Sequence, residues 1–224
     1  MANLAVFASG NGTNFEAIAR AVAATRHRLV CLIADKKDAF ALKRAEKLGV
    51  PSHIVSYKNR TREDAEGEML AVLASLKTDY IALAGFMRLL GPRLIDAYPS
   101  RIINIHPALL PKYPGTNGIE ESYRSGDREL GITIHYVDYG LDSGPVIMQR
   151  SFTRGSGEPL GEIERRIHEL EHIWYPRVMI DILDTHGGDV PRNVHPRRVK
   201  NAMEDAAVHV AEDEVAYMAE DVKH

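Results

Sequence analysis

The feature that most constrains the fold is a repeated succession of short apolar runs, each followed by a segment of helical character. Apolar runs at 4–8, 29–34, about 54–55 and 80–84 precede helix-compatible segments at 14–24, 39–48, 61–76 and 92–97, and a fifth apolar run covers 101–105. Such runs are typical of strands buried on both faces, and intervening helices make those strands parallel. The first half therefore predicts an α/β fold, a mostly parallel twisted sheet with helices on both faces.

The pattern changes after His106. Apolar runs at 131–137 and 145–152 predict two strands, antiparallel or at the sheet edge, joined by a loop at 138–144. A long helix is then expected over about 159–184. Its apolar face comprises Ile163, Ile167, Leu170, Trp174 and Val178.

The last part of the chain differs in composition. Residues 191–200 are basic and interrupted by proline, whereas residues 203–221 are acidic and could form a narrow helical stripe. We expect one domain over 1–186 and a partly ordered C-terminal tail over 187–224.

Composition narrows the class of protein. The chain has 224 residues, 45% of them hydrophobic, and a formal net charge of −3, which argues against a general nucleic-acid or anionic-membrane binder. No apolar run approaches the ~18 residues of a membrane span. The N-terminus shows no basic leader, so we expect a cytoplasmic protein. Cys31 is the single cysteine and is expected to be a small core residue.

The run at 101–105 ends by presenting Asn104 and His106, which strand alternation places on the same side. An amide that donates to a developing oxyanion, beside an imidazole that exchanges protons, could serve acyl transfer. Asp142, in a turn after the next strand, could orient that imidazole. The alternative is a buried strand end whose Asn and His are merely hydrogen-bonded.

A glycine-containing turn, Ser9-Gly-Asn-Gly-Thr-Asn14, joins the first strand to the first helix. Its glycines permit close approach of a ligand, and the helix N-terminus favours a phosphate. Asp35 at the end of the second strand makes a dinucleotide site conceivable, but Phe15 replaces the third glycine of that motif. We favour a phosphate monoester; a plain strand-to-helix turn is the alternative.

Two further patterns have competing interpretations. His168-Glu-Leu-Glu-His172 matches H-E-x-x-H, which could bind zinc with Glu169 as general base, although a pocket-rim helix is favoured. Gly85-Phe-Met-Arg-Leu-Leu90 could form an apolar wall for a flat aromatic ligand. His135, inside a strand, is more often a core histidine than a catalyst.

Together these segments resemble the folate-dependent phosphoribosylglycinamide formyltransferase family. The matching elements are Ser9-Gly-Asn-Gly-Thr-Asn14, Leu83-Ala-Gly-Phe-Met-Arg-Leu-Leu90, Asn104-Ile-His-Pro-Ala-Leu-Leu-Pro111, Lys112-Tyr-Pro-Gly115, Leu141-Asp-Ser-Gly-Pro-Val146 and Glu171-His-Ile-Trp-Tyr-Pro176. They occur in the family's order and span about residues 1–185. The resemblance implies a formyltransferase catalytic domain over 1–186.

The resemblance also implies substrates and contacts. A formyl group would pass from 10-formyltetrahydrofolate to the amine of 5'-phosphoribosylglycinamide in purine synthesis, without a metal, in a monomer or homodimer that binds small molecules and neither nucleic acid nor membrane. The implied contacts of the ribonucleotide are Gly12, Thr13, Asn14, His168, Glu169, Leu170 and Glu171. Those of the folate are Arg62, Met87, Arg88, Leu89, Leu90, Asn104, Asp138, Tyr139, Gly140, Leu141 and Asp142.

The resemblance gives the catalytic roles to Asn104, protonated His106 and Asp142. The first two would donate to the oxyanion, and Asp142 would favour the imidazolium and help relay a proton. Family members often have a histidine after the Pro-Gly that ends at Gly115, and this chain has none, which leaves Asn117 to support the carboxylate. Ala108 also replaces a frequent serine.

Three alternatives remain open from the sequence. The first is a formyltransferase acting on another phosphorylated or sugar amine. The second is a zinc hydrolase that uses His168 and His172, and the third is a non-catalytic phosphoribosyl-binding domain.

Overall fold

Seven strands form one sheet in the computed structural model, which describes residues 1–186. The strands are β1 (Asn3–Ala8), β2 (Arg28–Ala34), β3 (Ser52–Ile54), β4 (Tyr80–Leu83), β5 (Ile102–His106), β6 (Glu129–Tyr136) and β7 (Val146–Thr153). Their order is β3-β2-β1-β4-β5-β6-β7. All neighbours are parallel up to β5, and β6 and β7 are antiparallel. The predicted sheet and its antiparallel edge are confirmed; the expected tail over 187–224 lies outside the described residues.

Residues 1–186 contain six helices, five between strands and one after the last strand. They are α1 (Thr13–Ala23), α2 (Phe40–Leu48), α3 (Arg62–Ser75), α4 (Pro92–Ala97), α5 (Gly118–Ser125) and α6 (Leu160–His186). The start of α3 follows from its sequence, because the Thr61 hydroxyl accepts a hydrogen bond from the Asp64 N–H at 3.1 Å. Helix α5 was not predicted, since its eight residues are too few for a helical period to stand out.

Alternation along each strand divides the core into two layers. In β1, Leu4 and Val6 pack with α1, α2 and α6, whereas Ala5 and Phe7 pack with α3 and α4. Phe15 is fully buried in the first layer, which accounts for a ring where a dinucleotide-binding turn would need glycine. Both faces of the sheet are therefore covered, as expected for a parallel sheet.

The predicted structural role of Cys31 is also confirmed. Its side chain is fully buried in the second layer, and burial raises the pKa of the thiol to about 12. It therefore behaves as a small apolar core residue.

Candidate active site

Asn104 and His106 lie on the same face of β5, as their spacing predicts. Ile103 and Ile105, between and beside them, pack into the layer that contains α6. His106 is buried, and Asn104 is half-buried at the middle of the strand. The prediction that an amide and an imidazole share one side of this strand is confirmed.

The register between β5 and β6 adds a histidine to this pair. Asn104 lies directly opposite His135, and its Nδ2 is 3.1 Å from His135 Nε2. Opposite residues of an antiparallel pair point to the same face, so His135 belongs to this site as well as to the core. Sequence analysis favoured a core role for His135 and did not place it beside Asn104, because nothing in the sequence specifies this register.

Asp142 closes the cluster from the loop between β6 and β7. Its Oδ1 accepts a hydrogen bond from Asn104 Nδ2 at 3.3 Å and lies 3.6 Å from His135 Nε2. Its Oδ2 lies 3.4 Å from His106 Nδ1 and accepts a hydrogen bond from the Gly115 N–H at 2.7 Å. We call Asn104, His106, His135 and Asp142 the strand-end cluster.

The loop that carries Asp142 is tightly folded. A Cβ on Gly144 would lie 1.9 Å from the carbonyl oxygen of Tyr136, so the chain reverses there only with glycine. Asp142 itself has a φ of 50°, in the left-handed region that Asp tolerates. The Asp138 Oδ1 accepts hydrogen bonds from the Gly140 N–H and the Ser143 hydroxyl, which fix the loop internally.

Burial governs the electrostatics of His106. Desolvation lowers the pKa of His106 below its ordinary value, although Asp142, the Tyr113 carbonyl and Glu171 each oppose that effect. The sequence analysis expected the Asp142 charge to favour the imidazolium; it does so, but burial outweighs it. In the free protein the ring therefore holds its proton less tightly than an exposed histidine.

Asp142 behaves in the opposite way. Burial by itself would raise its pKa, but His135, the Gly115 N–H and His106 together lower the pKa below its ordinary value. The carboxylate is therefore ionised at neutral pH beside two imidazole rings.

The donors of the cluster are engaged within the protein. The Nε2 of His106 lies 2.7 Å from the carbonyl oxygen of Tyr113, which can only accept. The amide nitrogen of Asn104 faces both His135 and Asp142. A reacting oxygen that bonds to His106 Nε2 must therefore replace the Tyr113 carbonyl.

Support for Asp142 does not come from Asn117, and that expectation was wrong. Asn117 is exposed at the start of α5, and no hydrogen bond joins it to Asp142 in the described part of the chain. The Gly115 N–H supports the Asp142 carboxylate instead. Because this donor belongs to the main chain, the contact does not depend on the side chain that follows Gly115.

The glycine turn (residues 9–14) leaves the first turn of α1 open to a ligand. Gly12 is the N-cap with a φ of 76° and offers no side-chain cap, so the first N–H groups of the helix, including those of Thr13 and Asn14, have no intrahelical partner. A Cβ on Gly12 would lie 2.6 Å from the Cβ of Ala41, which explains the glycine. The geometry suits an anion.

A buried carboxylate lies beside this helix start. Glu171 on α6 is 4% exposed, and its Oε2 accepts hydrogen bonds from Asn14 Nδ2 and His168 Nδ1, each at 2.9 Å. The Oδ1 of Asn14 is buried without a hydrogen-bond partner among residues 1–186. Because Glu171 also raises the pKa of His106, this polar group and the strand-end cluster lie within electrostatic range of each other.

The remaining residues of the expected α6 segment point elsewhere. Glu169 is exposed and pairs with Arg165, and Leu170 packs partly into the core.

The rings of His168 and His172, the two histidines of the H-E-x-x-H pattern, stack with centroids 6.4 Å apart. No group of three or more potential ligands is arranged to hold a metal ion within residues 1–186.

The segments expected to contact the folate present apolar side chains to solvent. Met87 and Leu89 are 55% and 61% exposed, and Tyr139 and Leu141 are 68% and 52% exposed, whereas Leu90 is buried. Exposed apolar side chains of this size are typical of surfaces that bind a partner or a ligand. The Tyr139 hydroxyl donates to Asp96 of α4, which holds the second loop.

Arg88 and Arg62, the two arginines expected to contact the folate, have different environments. The Arg88 guanidinium pairs with the buried Asp35 at 2.7 Å and stacks over Tyr57, so Asp35 is occupied by an ion pair. Arg62 is exposed and its Cδ lies beside Gly91. The buried Glu66, which sequence analysis missed, accepts the Gly91 N–H at 2.5 Å and fixes the end of the segment.

The comparisons with known proteins give the class. Residues 2–179 match the family model described as formyl transferase, and the chain belongs to this family. Among its relatives, the phosphoribosylglycinamide formyltransferase of Bacillus subtilis is 43% identical over 189 residues, which cover 82% of this chain and 95% of that protein. The enzyme of the same name from Escherichia coli is 36% identical over 180 residues, 79% of this chain and 85% of that protein.

Solved structures agree with this assignment. Glycinamide ribonucleotide transformylase 1 of Geobacillus kaustophilus is 46% identical with a TM-score of 0.78, over 82% of this chain and 99% of that chain. The phosphoribosylglycinamide formyltransferase of Bacillus halodurans is 36% identical with a TM-score of 0.80, over 85% of this chain and 100% of that chain. Among residues 1–186, none of the helices has the combination of length and apolar composition that a membrane span requires.

Proposed function

We propose that this protein transfers the formyl group of 10-formyltetrahydrofolate to the amine of 5'-phosphoribosylglycinamide, a step of purine synthesis. The observation that carries the proposal is the strand-end cluster, in which Asp142 contacts Asn104 and lies 3.4 Å from His106. Membership of the formyl transferase family and relatives of this name support the same reaction.

The ribonucleotide binds on the α1 side. Its phosphate lies at the glycine turn, where Gly12, Thr13 and Asn14 offer main-chain N–H groups and the positive end of the helix dipole. Glu171 accepts hydrogen bonds from the ribose hydroxyls and exchanges its present contact with Asn14 for them. His168 holds the Glu171 carboxylate in place through its 2.9 Å hydrogen bond.

The folate binds against the two exposed loops. Met87, Leu89, Tyr139 and Leu141 cover the flat ring, and the main chain of residues 87–90 and 138–142 supplies hydrogen bonds. Because the Arg88 side chain is held by Asp35, we assign the contact at this position to its main chain. Arg62 lies at the rim, where its charge suits an acidic tail of the folate.

The chemistry places the new charge on the formyl oxygen. The neutral amine attacks the formyl carbon and a tetrahedral oxyanion forms, to which Asn104 Nδ2 and His106 Nε2 donate. Loss of one such donor typically costs about 10²–10³ in rate. For His106 to donate, the Tyr113 carbonyl must withdraw as substrates enter. The two N–H groups of Asn104 face His135 and Asp142, so one of them must leave its present partner to donate to the oxyanion.

Asp142 completes the proton balance. Its negative charge stabilises the His106 imidazolium against the cost of burial, and the carboxylate helps pass the proton lost by the amine to the departing folate nitrogen. The bond from the glycinamide amine to the formyl carbon forms first, and the tetrahedral intermediate then collapses: the carbonyl re-forms, and the bond to the protonated folate nitrogen breaks.

A spectrophotometric assay of folate release tests the proposal. Release from 10-formyltetrahydrofolate should require the ribonucleotide and persist in the presence of a chelator. Release without the ribonucleotide would indicate a hydrolase, release abolished by the chelator would support the zinc alternative, and release with another amine alone would change the acceptor. Ribonucleotide binding without release would support a non-catalytic binding domain.

A further inference from the structure

The glycine turn is held from outside by one side chain of α2. Arg44 donates from Nε to the carbonyl oxygen of Asn11 at 2.8 Å and from Nη2 to the Asn11 Oδ1 at 2.9 Å. A third donor, Nη1, pairs with Glu16 in the first turn of α1. One guanidinium therefore ties both the turn and the helix that it opens to α2.

The turn needs such a restraint. Asn11 lies between Gly10 and Gly12, and glycines have little conformational preference of their own. One further main-chain bond from α2, the Ala41 N–H to the Gly10 carbonyl at 3.1 Å, acts beside Arg44. Asn11 itself is exposed, so the hydrogen bonds from Arg44 and Ala41 are what join the turn to α2, and they restrain the direction of the first N–H groups of α1.

The shape of the Arg44 side chain can be tested separately from its charge. Glu16 pairs with Arg44 and, at 2.6 Å, with Arg20, so the three groups together carry one net positive charge. The two bonds to Asn11 use the fork of the guanidinium, which a lysine ammonium cannot reproduce. Replacement by lysine therefore keeps the charge and removes the two-point contact.

We propose that Arg44 is a positioning residue for the substrate phosphate, acting through Asn11 to hold the glycine turn in its binding conformation. The proposal rests on the proposed function, which places the phosphate at this turn. It predicts a defect that depends on the phosphate group and leaves the folate side unaffected.

The test compares two acceptors in Arg44→Lys, glycinamide ribonucleotide and its dephosphorylated riboside, at saturating 10-formyltetrahydrofolate. We expect kcat/KM for the ribonucleotide to fall about tenfold through KM, the size expected for losing charged hydrogen bonds. The rate with the riboside and KM for the folate should change less than about twofold. Equal losses with both acceptors, or no loss with either, would overturn the proposal.

Arg20→Lys is the matched control, because Arg20 shares Glu16 and makes no hydrogen bond to the glycine turn among the described residues. It should match the wild type with both acceptors. Asn11→Ala provides a second route, since it removes only the side-chain half of the contact. It should give a smaller loss, again confined to the ribonucleotide.

Binding of ribose 5-phosphate separates this proposal from the proposed function. The amide NMR signals of Thr13 and Asn14 should shift on titration of the wild type, with a dissociation constant about tenfold higher in Arg44→Lys, matching the lost hydrogen bonds. Wild-type protein that binds this probe but shows no turnover would overturn the proposed function alone. Unshifted Thr13 and Asn14 signals would overturn the role of Arg44.

Discussion

Asn104 and His135 face each other across β5 and β6, with the Asn104 amide nitrogen 3.1 Å from His135 Nε2. This contact, together with the bond to Asp142, fixes the rotation of the amide that we assign to the oxyanion. The His135 imidazole is in turn held through its Nδ1, which donates a hydrogen bond to the Tyr136 carbonyl at 2.9 Å. His135 thus orients the Asn104 side chain, to which we assign the oxyanion contact.

We therefore expect His135→Ala to lower kcat by roughly tenfold, because one orienting hydrogen bond is lost. His135→Gln, whose amide oxygen can still accept from Asn104, should recover part of that loss. Steady-state kinetics with both variants measure the difference. His53→Ala, on the distant edge strand β3, is the control, and equal activity of both His135 variants and the wild type would contradict this role.

Asp142→Asn removes a charge with little change of shape. We expect kcat to fall at least about 10²-fold while the folate still binds, because the imidazolium loses its counter-charge. The pKa of His106 should also move further below its ordinary value, since Asp142 is the largest influence that raises it. NMR titration of the His106 ring measures this shift, and an unchanged pKa would disprove the electrostatic role.

Substitution by alanine should destabilise the protein at Gly12 and have little effect at Gly10. A Cβ at Gly12 would meet Ala41 at 2.6 Å in a left-handed backbone conformation, whereas a Cβ at Gly10 has no atom within 4 Å. Gly12→Ala should therefore lower the free energy of unfolding by roughly 1–3 kcal/mol, as expected for overpacking. Gly10→Ala should stay within about 0.5 kcal/mol of the wild type. Urea unfolding of both variants measures these changes. Equal stabilities of Gly12→Ala and Gly10→Ala would be inconsistent with the packing of Gly12 against Ala41.

The hydrogen bonds of His27 predict that its substitution lowers the stability of the fold, although this residue is not part of the candidate active site. Its buried ring accepts the Ala2 N–H at Nδ1 (3.1 Å) and lies 3.1 Å from Asp184 at Nε2. His27→Ala leaves the Ala2 N–H without a partner and should cost about 1–3 kcal/mol of unfolding free energy. Denaturant unfolding at constant pH measures the loss. Activity at low temperature should persist, and a loss below about 0.5 kcal/mol would show that water replaces the ring.

Glu171→Gln tests the hydrogen bond between His168 and Glu171 at the proposed ribonucleotide site through the pKa of His168. The hydrogen bond from His168 to Glu171 raises the pKa of His168 above its ordinary value, so the variant should return this pKa towards that value. Because the folded pKa is raised, the interaction stabilises the fold below the unfolded pKa of His and is lost as the pH rises through the folded pKa. NMR titration gives the pKa, and KM for the ribonucleotide should rise. An unshifted His168 would refute the pairing.

The sequence determined much of the fold because its signals are local. Buried runs that alternate with helical segments specify a parallel sheet, and Thr61 marks a helix start through its own hydroxyl. The shared side of Asn104 and His106 follows from the two-residue period of a strand, which no distant contact changes. The place of the glycine turn, between the first strand and the first helix, is likewise a local property of the sequence.

Tertiary structure decided what depends on residues far apart in the chain. The β5–β6 register brought His135 to Asn104, and a long-range contact gave Asp142 the Gly115 N–H in place of Asn117. Packing also set the electrostatics, since desolvation at His106 outweighs the opposing effect of the Asp142 charge on the pKa of the ring. Register, burial and loop closure arise from how elements pack together, so strand and helix periodicity alone does not contain them.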